Sequence, residues 1–271
     1  QGFAVEGLVI AFSPAHGAAV AAAQKSAQEL GVPLAVRNCE PLFDKEVVEP
    51  FCQSYAAGET PNPCVVCNPM VKFRILAEEA DRRGIRYIAT GHYARVTERD
   101  GLYYIATPQS VARDQSYMLY RLGQEIRERL CLPLGELDKD EIREMARALN
   151  LSCAEAPDSQ EICFIPDGDY PAFIQNRGIT GLAGRFIGPQ GEDLGPHKGV
   201  LLYTVGQRRG FGLALGNPVF LQSILPNGDE RPCYGGLRSA PRVLVREILI
   251  ADGDMLHPGK EHQVQKNRRA R

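Results

Sequence analysis

The chain has 271 residues, 44% of them hydrophobic, and a formal charge of −2. That charge excludes a protein that coats nucleic acid through bulk electrostatics, the length suits two domains or one enlarged one, and no apolar run approaches a membrane span. Eight cysteines in so long a chain do not make a disulfide scaffold, and no secretory signal is present; the expected compartment is a reducing cytoplasm, where a reactive CxxC serves redox, metal or sulfur chemistry.

The chain begins at Gln1, without methionine, and reads as if entered in mid-fold. Residues 5–12 form a short apolar run, the pattern of a strand buried on both faces. Residues 16–30 are alanine-rich with helical spacing and stop at Gly31, and residues 34–36 read as a second buried strand. Residues 43–57 predict a helix interrupted by Pro50 and closed by Gly58. Residues 60–67 are rich in proline and held extended or in a turn. Asn68-Pro69 then reads as an N-cap and first helical position, with Met70, Phe73, Ala77 and Ala80 as the apolar stripe and Gly84 as the stop. Residues 87–90 are a third buried strand. Strands and helices alternating at this interval imply a parallel, helix-covered sheet, whose ligands bind beyond the carboxyl ends of the strands. Thr90-Gly91-His92-Tyr93 falls at such an end.

Asp138 with Glu141 makes a capping-box start for a helix to about residue 150, and residues 153–170 are loop-like. From residue 178 glycine, proline and short alternating strands at 184–187, 200–205 and 219–224 predict a small β domain. Residues 243–251 open another β unit before a basic tail. The domain expectation is therefore an α/β unit over 1–170, a small β domain over 171–236, and the incomplete start of a β-barrel over 237–271. Local basic patches at Arg82-Arg83 with Arg86, at Arg208-Arg209 and over residues 266–271 are candidate RNA contacts.

The CxxC of Cys64 and Cys67 has two readings. As a helix start it is two small buried apolar residues; at a helix N-terminus the dipole and free N–H groups would lower the thiol pKa and give thiolate near neutral pH. Cys163, beside Phe164 and Ile165, reads alone as a packed small hydrophobe.

Five segments stand in one order: Gly58-Glu59-Thr60-Pro61-Asn62-Pro63-Cys64-Val65-Val66-Cys67-Asn68, Ile88-Ala89-Thr90-Gly91-His92-Tyr93-Ala94-Arg95, Arg113-Asp114-Gln115-Ser116-Tyr117, Asp158-Ser159-Gln160-Glu161-Ile162-Cys163-Phe164-Ile165 and Tyr203-Thr204-Val205-Gly206-Gln207-Arg208-Arg209-Gly210. Together they resemble the bacterial tRNA-specific 2-thiouridylases, from residue 5 to about 225. The resemblance implies an adenine-nucleotide alpha-hydrolase-like (HUP, PP-loop ATPase) domain, a small β domain and a barrel. It implies an ATP- and Mg²⁺-dependent tRNA-uridine 2-sulfurtransferase: ATP adenylates the C2 oxygen of the wobble uridine, and a cysteine persulfide then delivers sulfur. In that family Cys67 matches the nucleophile and Cys163 the persulfide carrier, loaded by a cysteine desulfurase or relay protein. A thiol pair that closes and reopens a disulfide suits sulfur transfer. Gly91 matches a nucleotide contact, as does the backbone of Ile10. His92, Asn62-Pro63-Cys64 and Arg113-Asp114-Gln115 match segments that grip the flipped uridine or neighbouring tRNA. The chain is expected to act as a monomer.

Three departures accompany the resemblance. The family's Ser-Gly-Gly-Val-Asp-Ser phosphate loop does not occur in this chain; a fragment is the expectation, with a non-catalytic tRNA-binding relic as the alternative, and the chain as it stands is expected not to adenylate tRNA and to be unstable along an exposed sheet edge. The barrel is represented only by its opening. Many members carry aspartate where Cys64 stands. Cys64, Cys67 and Cys163 supply three thiols, and their spacing permits a [4Fe–4S] cluster, a zinc half-site or a redox disulfide. A thiol-redox or metal protein sharing only the CxxC would leave Thr-Gly-His-Tyr and the Cys163 loop unaccounted for.

Overall fold

The computed structural model describes residues 3–156, 162–181, 183–188, 191–213, 219–225 and 247–252. Of the expected features, residues 158–161 of the Cys163 segment and the basic tail at 266–271 lie outside them. The chain divides into two compact units, residues 1–50 with 62–168, and residues 51–61 with 169–271. The excursion of 51–61 into the second unit has no composition signal in the sequence.

In the first unit β1 (Gly7–Ala11) and β2 (Leu34–Asn38) pair in parallel, Gly7 opposite Leu34 and Ala11 opposite Asn38. The crossover is α1 (Gly17–Leu30), closed by Gly31 at φ +65°. Burial on both strand faces is not found. Every residue of β1 is half-buried, Val36 to the end of β2 is exposed, and α1 buries no side chain. Alanine methyl groups are too short to cover the strands more fully.

The next helical run is α2 (Glu40–Phe43), a π turn over Asp44–Val48, and α3 (Glu49–Ala56). Pro50 does not interrupt it. The Glu49 N–H reaches back five residues to the Asp44 carbonyl, and this wider turn accommodates the ring that an unbroken α-helix would drive against the carbonyl four residues earlier. The same device recurs around Pro69: α4 (Pro63–Cys67), a π turn over Asn68–Lys72, then α5 (Phe73–Arg82).

β3 (Ile88–Ala89) is followed by a hairpin of β4 (Arg95–Arg99) and β5 (Leu102–Ala106), turned at Asp100 and Gly101, both with positive φ. After α6 (Gln124–Arg127), β6 (Leu130–Cys131) pairs in parallel with β3. The capping box holds: Asp138 N–H donates to Glu141 Oε2 at 2.7 Å and opens α7 (Lys139–Ala148). A core of Phe73, Ala80, Ile88, Ala94, Leu119, Leu122 and Leu130 ties α5 to these strands.

The second unit contains α8 (Tyr170–Asn176) and a sheet of β7 (Gly184–Ile187), β8 (Asp193–His197), β9 (Val219–Leu225) and β10 (Glu247–Asp252), in the order β8-β7-β10-β9. One expectation is corrected. The strand over 200–205 is a 3₁₀ turn, Val200–Leu202, bracketed by Gly199 (φ +133°) and Gly206 (φ +86°), which bend the chain away from a ladder. β10 sits inside the sheet, parallel to β7 and antiparallel to β9.

Gly58 ends α3 at φ +72°, and a Cβ there would lie 2.9 Å from Ile224 Cγ2 and 3.0 Å from the Ile224 carbonyl. Both the torsion and the space demand glycine. Gly58→Ala is expected to destabilise the protein by roughly 1–3 kcal/mol, read as a lower urea midpoint; an unchanged midpoint would refute the close approach.

Candidate active site

The site grows from the start of α4. Asn62 is the N-cap, its Oδ1 accepting from Cys64 N–H at 3.1 Å, and Pro63 takes the first helical position. The helix therefore starts six residues before the expected Asn68-Pro69. Asn68 lies inside the run, 2% exposed, and its Nδ2 donates to the Met118 carbonyl at 2.9 Å. The phase shifts accordingly: Val71, Phe73, Ile75 and Ala80 are buried, whereas Met70 is exposed.

This start leaves Cys64 exposed in the first helical turn and Cys67 buried one turn later, at 8% exposure. The thiolate expected at neutral pH is not what the environment favours at Cys67. Desolvation pushes its thiol up to about 12, with the neighbouring Cys163 and Cys64 adding to the rise; the Lys72 ammonium and a hydrogen bond from the Lys72 backbone N–H to the sulfur act against it. A dipole effect that fades within the first turn does not offset that burial.

Cys163 comes to the same place from far along the chain. Phe164 and Ile165 are the buried members of its turn, Phe164 meeting Phe43 edge to face at 5.4 Å, while Cys163 keeps solvent exposure. The packed-hydrophobe reading of Cys163 is thereby overturned. Crowding around its sulfur nonetheless raises its pKa, Cys64 adding to the rise and Lys72 opposing it. Cys64, Cys67, Cys163 and Lys72 thus form one electrostatic cluster within the first unit.

The loop after β3 contributes His92. It is 9% exposed, stacked on Phe73 at 5.9 Å, and its Nδ1 lies 2.8 Å from Thr90 Oγ1. Burial, then the charge of Lys72, pushes its pKa down to about 4, so the ring is neutral at pH 7. Gln115 fastens this loop: its Oε1 accepts from Tyr93 N–H at 2.9 Å and its own N–H donates to the Tyr93 carbonyl at 2.9 Å. Asp114 Oδ1 accepts from Ser116 N–H at 2.8 Å, and Arg113 ends the preceding 3₁₀ turn. A Cβ on Gly91 would make only an ordinary 3.5 Å contact with Leu134, so packing within the chain does not require glycine there.

Other candidates lie elsewhere. Ile10 is half-buried in β1, opposite Arg37. The Tyr203–Gly210 motif belongs to the second unit, where Gln207 accepts from Thr204 N–H at 3.0 Å, donates to the Arg209 carbonyl at 2.7 Å, and receives Leu221 N–H on its own carbonyl. The Arg82, Arg83 and Arg86 patch is committed to acids: Arg82 and Arg83 clasp the buried Glu79, whose carboxyl falls to about 2, and Arg86 pairs with Glu128. Sequence reading passed over Lys72, Asn68 and Phe73 as site residues. The signal available for Lys72 was Pro69, which changes the helical phase.

A cluster or metal ion does not fit this arrangement. Among the described residues no three His, Cys, Asp or Glu side chains are gathered as a metal site. Among the described residues no helix is long and apolar enough to cross a membrane.

Residues 10–167 match the family described as the tRNA methyl transferase HUP domain. The chain belongs to that family. Residues 172–230 match the companion tRNA methyl transferase PRC-barrel domain, so the described helices and strands make a HUP α/β domain followed by a β domain. Relatives named tRNA-specific 2-thiouridylase MnmA include those of Carboxydothermus hydrogenoformans, 45% identical over 215 residues (78% of this chain, 59% of that protein), and Syntrophotalea carbinolica, 46% identical over 212 residues (78% and 59%). That of Leptospira biflexa is 45% identical over 199 residues, 73% of this chain and 52% of the relative. The chain thus spans between half and three-fifths of the length of these relatives. Their name is the one to which the five motifs point.

The burial of His92 sets a pH dependence. Its folded pKa of about 4 lies below the ordinary 6.5, so the unfolded state binds the proton more readily between those values. The stability held above pH 6.5 is lost as pH falls towards 4, by on the order of 3 kcal/mol. Urea titrations from pH 4 to 7 should show that slope, and His92→Gln should flatten it; an equal slope in the variant would assign it elsewhere.

Proposed function

We propose that this chain is part of an ATP- and Mg²⁺-dependent tRNA-uridine 2-sulfurtransferase of the cytoplasm that works as a monomer and takes persulfide sulfur from a cysteine desulfurase or relay protein. The convergence of Cys67 and Cys163, 96 positions apart in sequence, in one electrostatic cluster carries the reading. The HUP family match and the relatives' name support tRNA as substrate and a uridine C2 as target; the wobble position is what the resemblance of the motifs implies.

A uridine C2 oxygen is a poor leaving group, and ATP overcomes this by adenylating it. In this chain the work of the residues is then as follows. Cys163, exposed on its turn, accepts sulfane sulfur as Cys163–S–SH. The terminal persulfide sulfur attacks C2 and AMP leaves, so that C2 is joined to Cys163 through an S–S bond; Cys67 then attacks Cys163 Sγ, breaking that bond to release the 2-thiouridine and leaving a Cys67–Cys163 disulfide that an external dithiol reduces. His92, neutral and stacked on Phe73, offers a hydrogen-bonding edge without adding charge beside an electrophilic base. Gly91 and Ile10 are the proposed nucleotide contacts; Asn62, Pro63, Cys64, Arg113, Asp114 and Gln115 are the proposed tRNA-facing residues. Gln115 and Asn62 also have plain structural duties, holding the Tyr93 loop and capping α4.

Sulfur loading tests this without requiring adenylation. With a cysteine desulfurase and ³⁵S-cysteine, Cys163 should become labelled. In the absence of tRNA, Cys67 should then attack Cys163 Sγ, the S–S bond breaking to expel sulfide as the Cys67–Cys163 bond forms. The Cys67→Ser variant should retain at least ten times more label than the parent, and Cys163→Ser should take up none. Tight tRNA binding with no label on Cys163 would instead favour the non-catalytic relic, and label confined to Cys131 or Cys153 would contradict the site.

A further inference from the structure

The thiol cluster presents a difficulty that its own burial creates: Cys67 is embedded in a helix that desolvates it, yet sulfur transfer needs it as thiolate. The only cation acting on Cys67 and Cys163 among the described residues is Lys72, which neither composition nor the five motifs single out.

Its placement is set by Pro69. In an α-helix two residues five apart point roughly 140° away from each other. In a π turn, closed by bonds between residues five apart, the same pair comes to about 50°. The turn over Asn68–Lys72 is of this kind, with Phe73 N–H on the Asn68 carbonyl. It brings Lys72 round to the Cys67 face, where the Lys72 backbone N–H points at Cys67 Sγ. Asn68 anchors the turn from behind through its bond to the Met118 carbonyl. Lys72 is half-buried, and among the described residues no carboxylate lies within ion-pair distance of its ammonium. The titratable groups on which it acts come from three elements: Cys67 from α4, Cys163 from the turn before α8, and His92 from the loop after β3.

We propose that Lys72 is a positioning residue for both thiols: the π turn opened at Pro69 turns its amide and its ammonium onto the Cys67 face, where they stabilise the developing thiolates of Cys67 and Cys163. A half-buried cation with no carboxylate beside it among the described residues is costly unless something else takes up its field, and a thiolate formed during turnover does so. Because the same charge reaches His92, one residue favours ionised sulfur and a neutral imidazole together. The inference rests on the sulfur-transfer reading only for what the thiols are used for; their reactivity can be measured without RNA, ATP or persulfide, so a failed loading assay leaves this test intact.

The test is site-resolved alkylation of the 271-residue chain by iodoacetamide between pH 6.5 and 9.5, quantified peptide by peptide by mass spectrometry. In Lys72→Met, Cys67 and Cys163 should react about three- to ten-fold more slowly at pH 8, with their pH midpoints moved upward. Cys131 and Cys153 should be unchanged, serving as controls for the fold. Lys72→Arg should restore most of the rate, because it keeps the charge. Unchanged rates at Cys67 and Cys163 in Lys72→Met, an equal slowing at Cys131 and Cys153, or an Arg variant as slow as the Met variant would each overturn the proposal.

Discussion

A proline that cannot donate a hydrogen bond decides how the helix of the candidate site is built. Pro69 would leave the Val65 carbonyl without its usual partner and push its ring against it. The helix answers by widening over Asn68–Lys72 instead of stopping. One extra residue in that turn re-phases everything beyond it. Phe73 comes to face His92, Val71 and Ile75 enter the core, and Met70 is left outside. The same chemistry at Pro50 keeps the run from Glu40 to Ala56 helical as the chain passes from the first unit into the second. Irregular helix is here a means of carrying proline through a packed element, and at Pro69 it also arranges the site.

Desolvation is the second organising quantity. It holds Cys67 and Cys163 protonated and His92 neutral, so the resting cluster carries little charge apart from Lys72. Protonated sulfur of this kind resists adventitious oxidation and alkylation. The buried acid of the first unit is treated in the opposite way. Glu79 is 6% exposed and remains ionised because Arg82 and Arg83 hydrogen-bond it directly, with Arg37 3.6 Å away. These arginines are taken up by structure, which is why an Arg-rich stretch that looks like an RNA patch is largely neutralised.

Much of this was legible in the sequence. The β-α-β pattern, the glycine stop at Gly31, the capping box at Asp138 and the strands at 184–187 and 219–224 follow from spacing and turn chemistry that act locally. The five motifs carried the family, and with it the expectation that Cys67 and Cys163 act together, which no local rule supplies. What failed were inferences in which a local rule met a tertiary one. Asn68-Pro69 is a good helix start in isolation, but Asn62-Pro63 is an equally good one six residues earlier, and a partner for the Asn68 side chain at Met118, fifty residues away, settles the choice. The CxxC placed at a helix start suggested acidic thiols; burial, which depends on the whole fold, reverses the sign for Cys67. The 200–205 segment has strand-like composition, and two positive-φ glycines turn it into a bend.

The account stands on two distant sulfurs sharing one site in the first unit. Mild diamide oxidation of the native chain carrying Cys64→Ala, followed by proteolysis without reduction and peptide mapping, measures this directly. A Cys67–Cys163 bridge as the dominant intramolecular disulfide is the predicted result. Bridges of Cys163 to Cys131 or Cys153, with Cys67 recovered as free thiol, would contradict it.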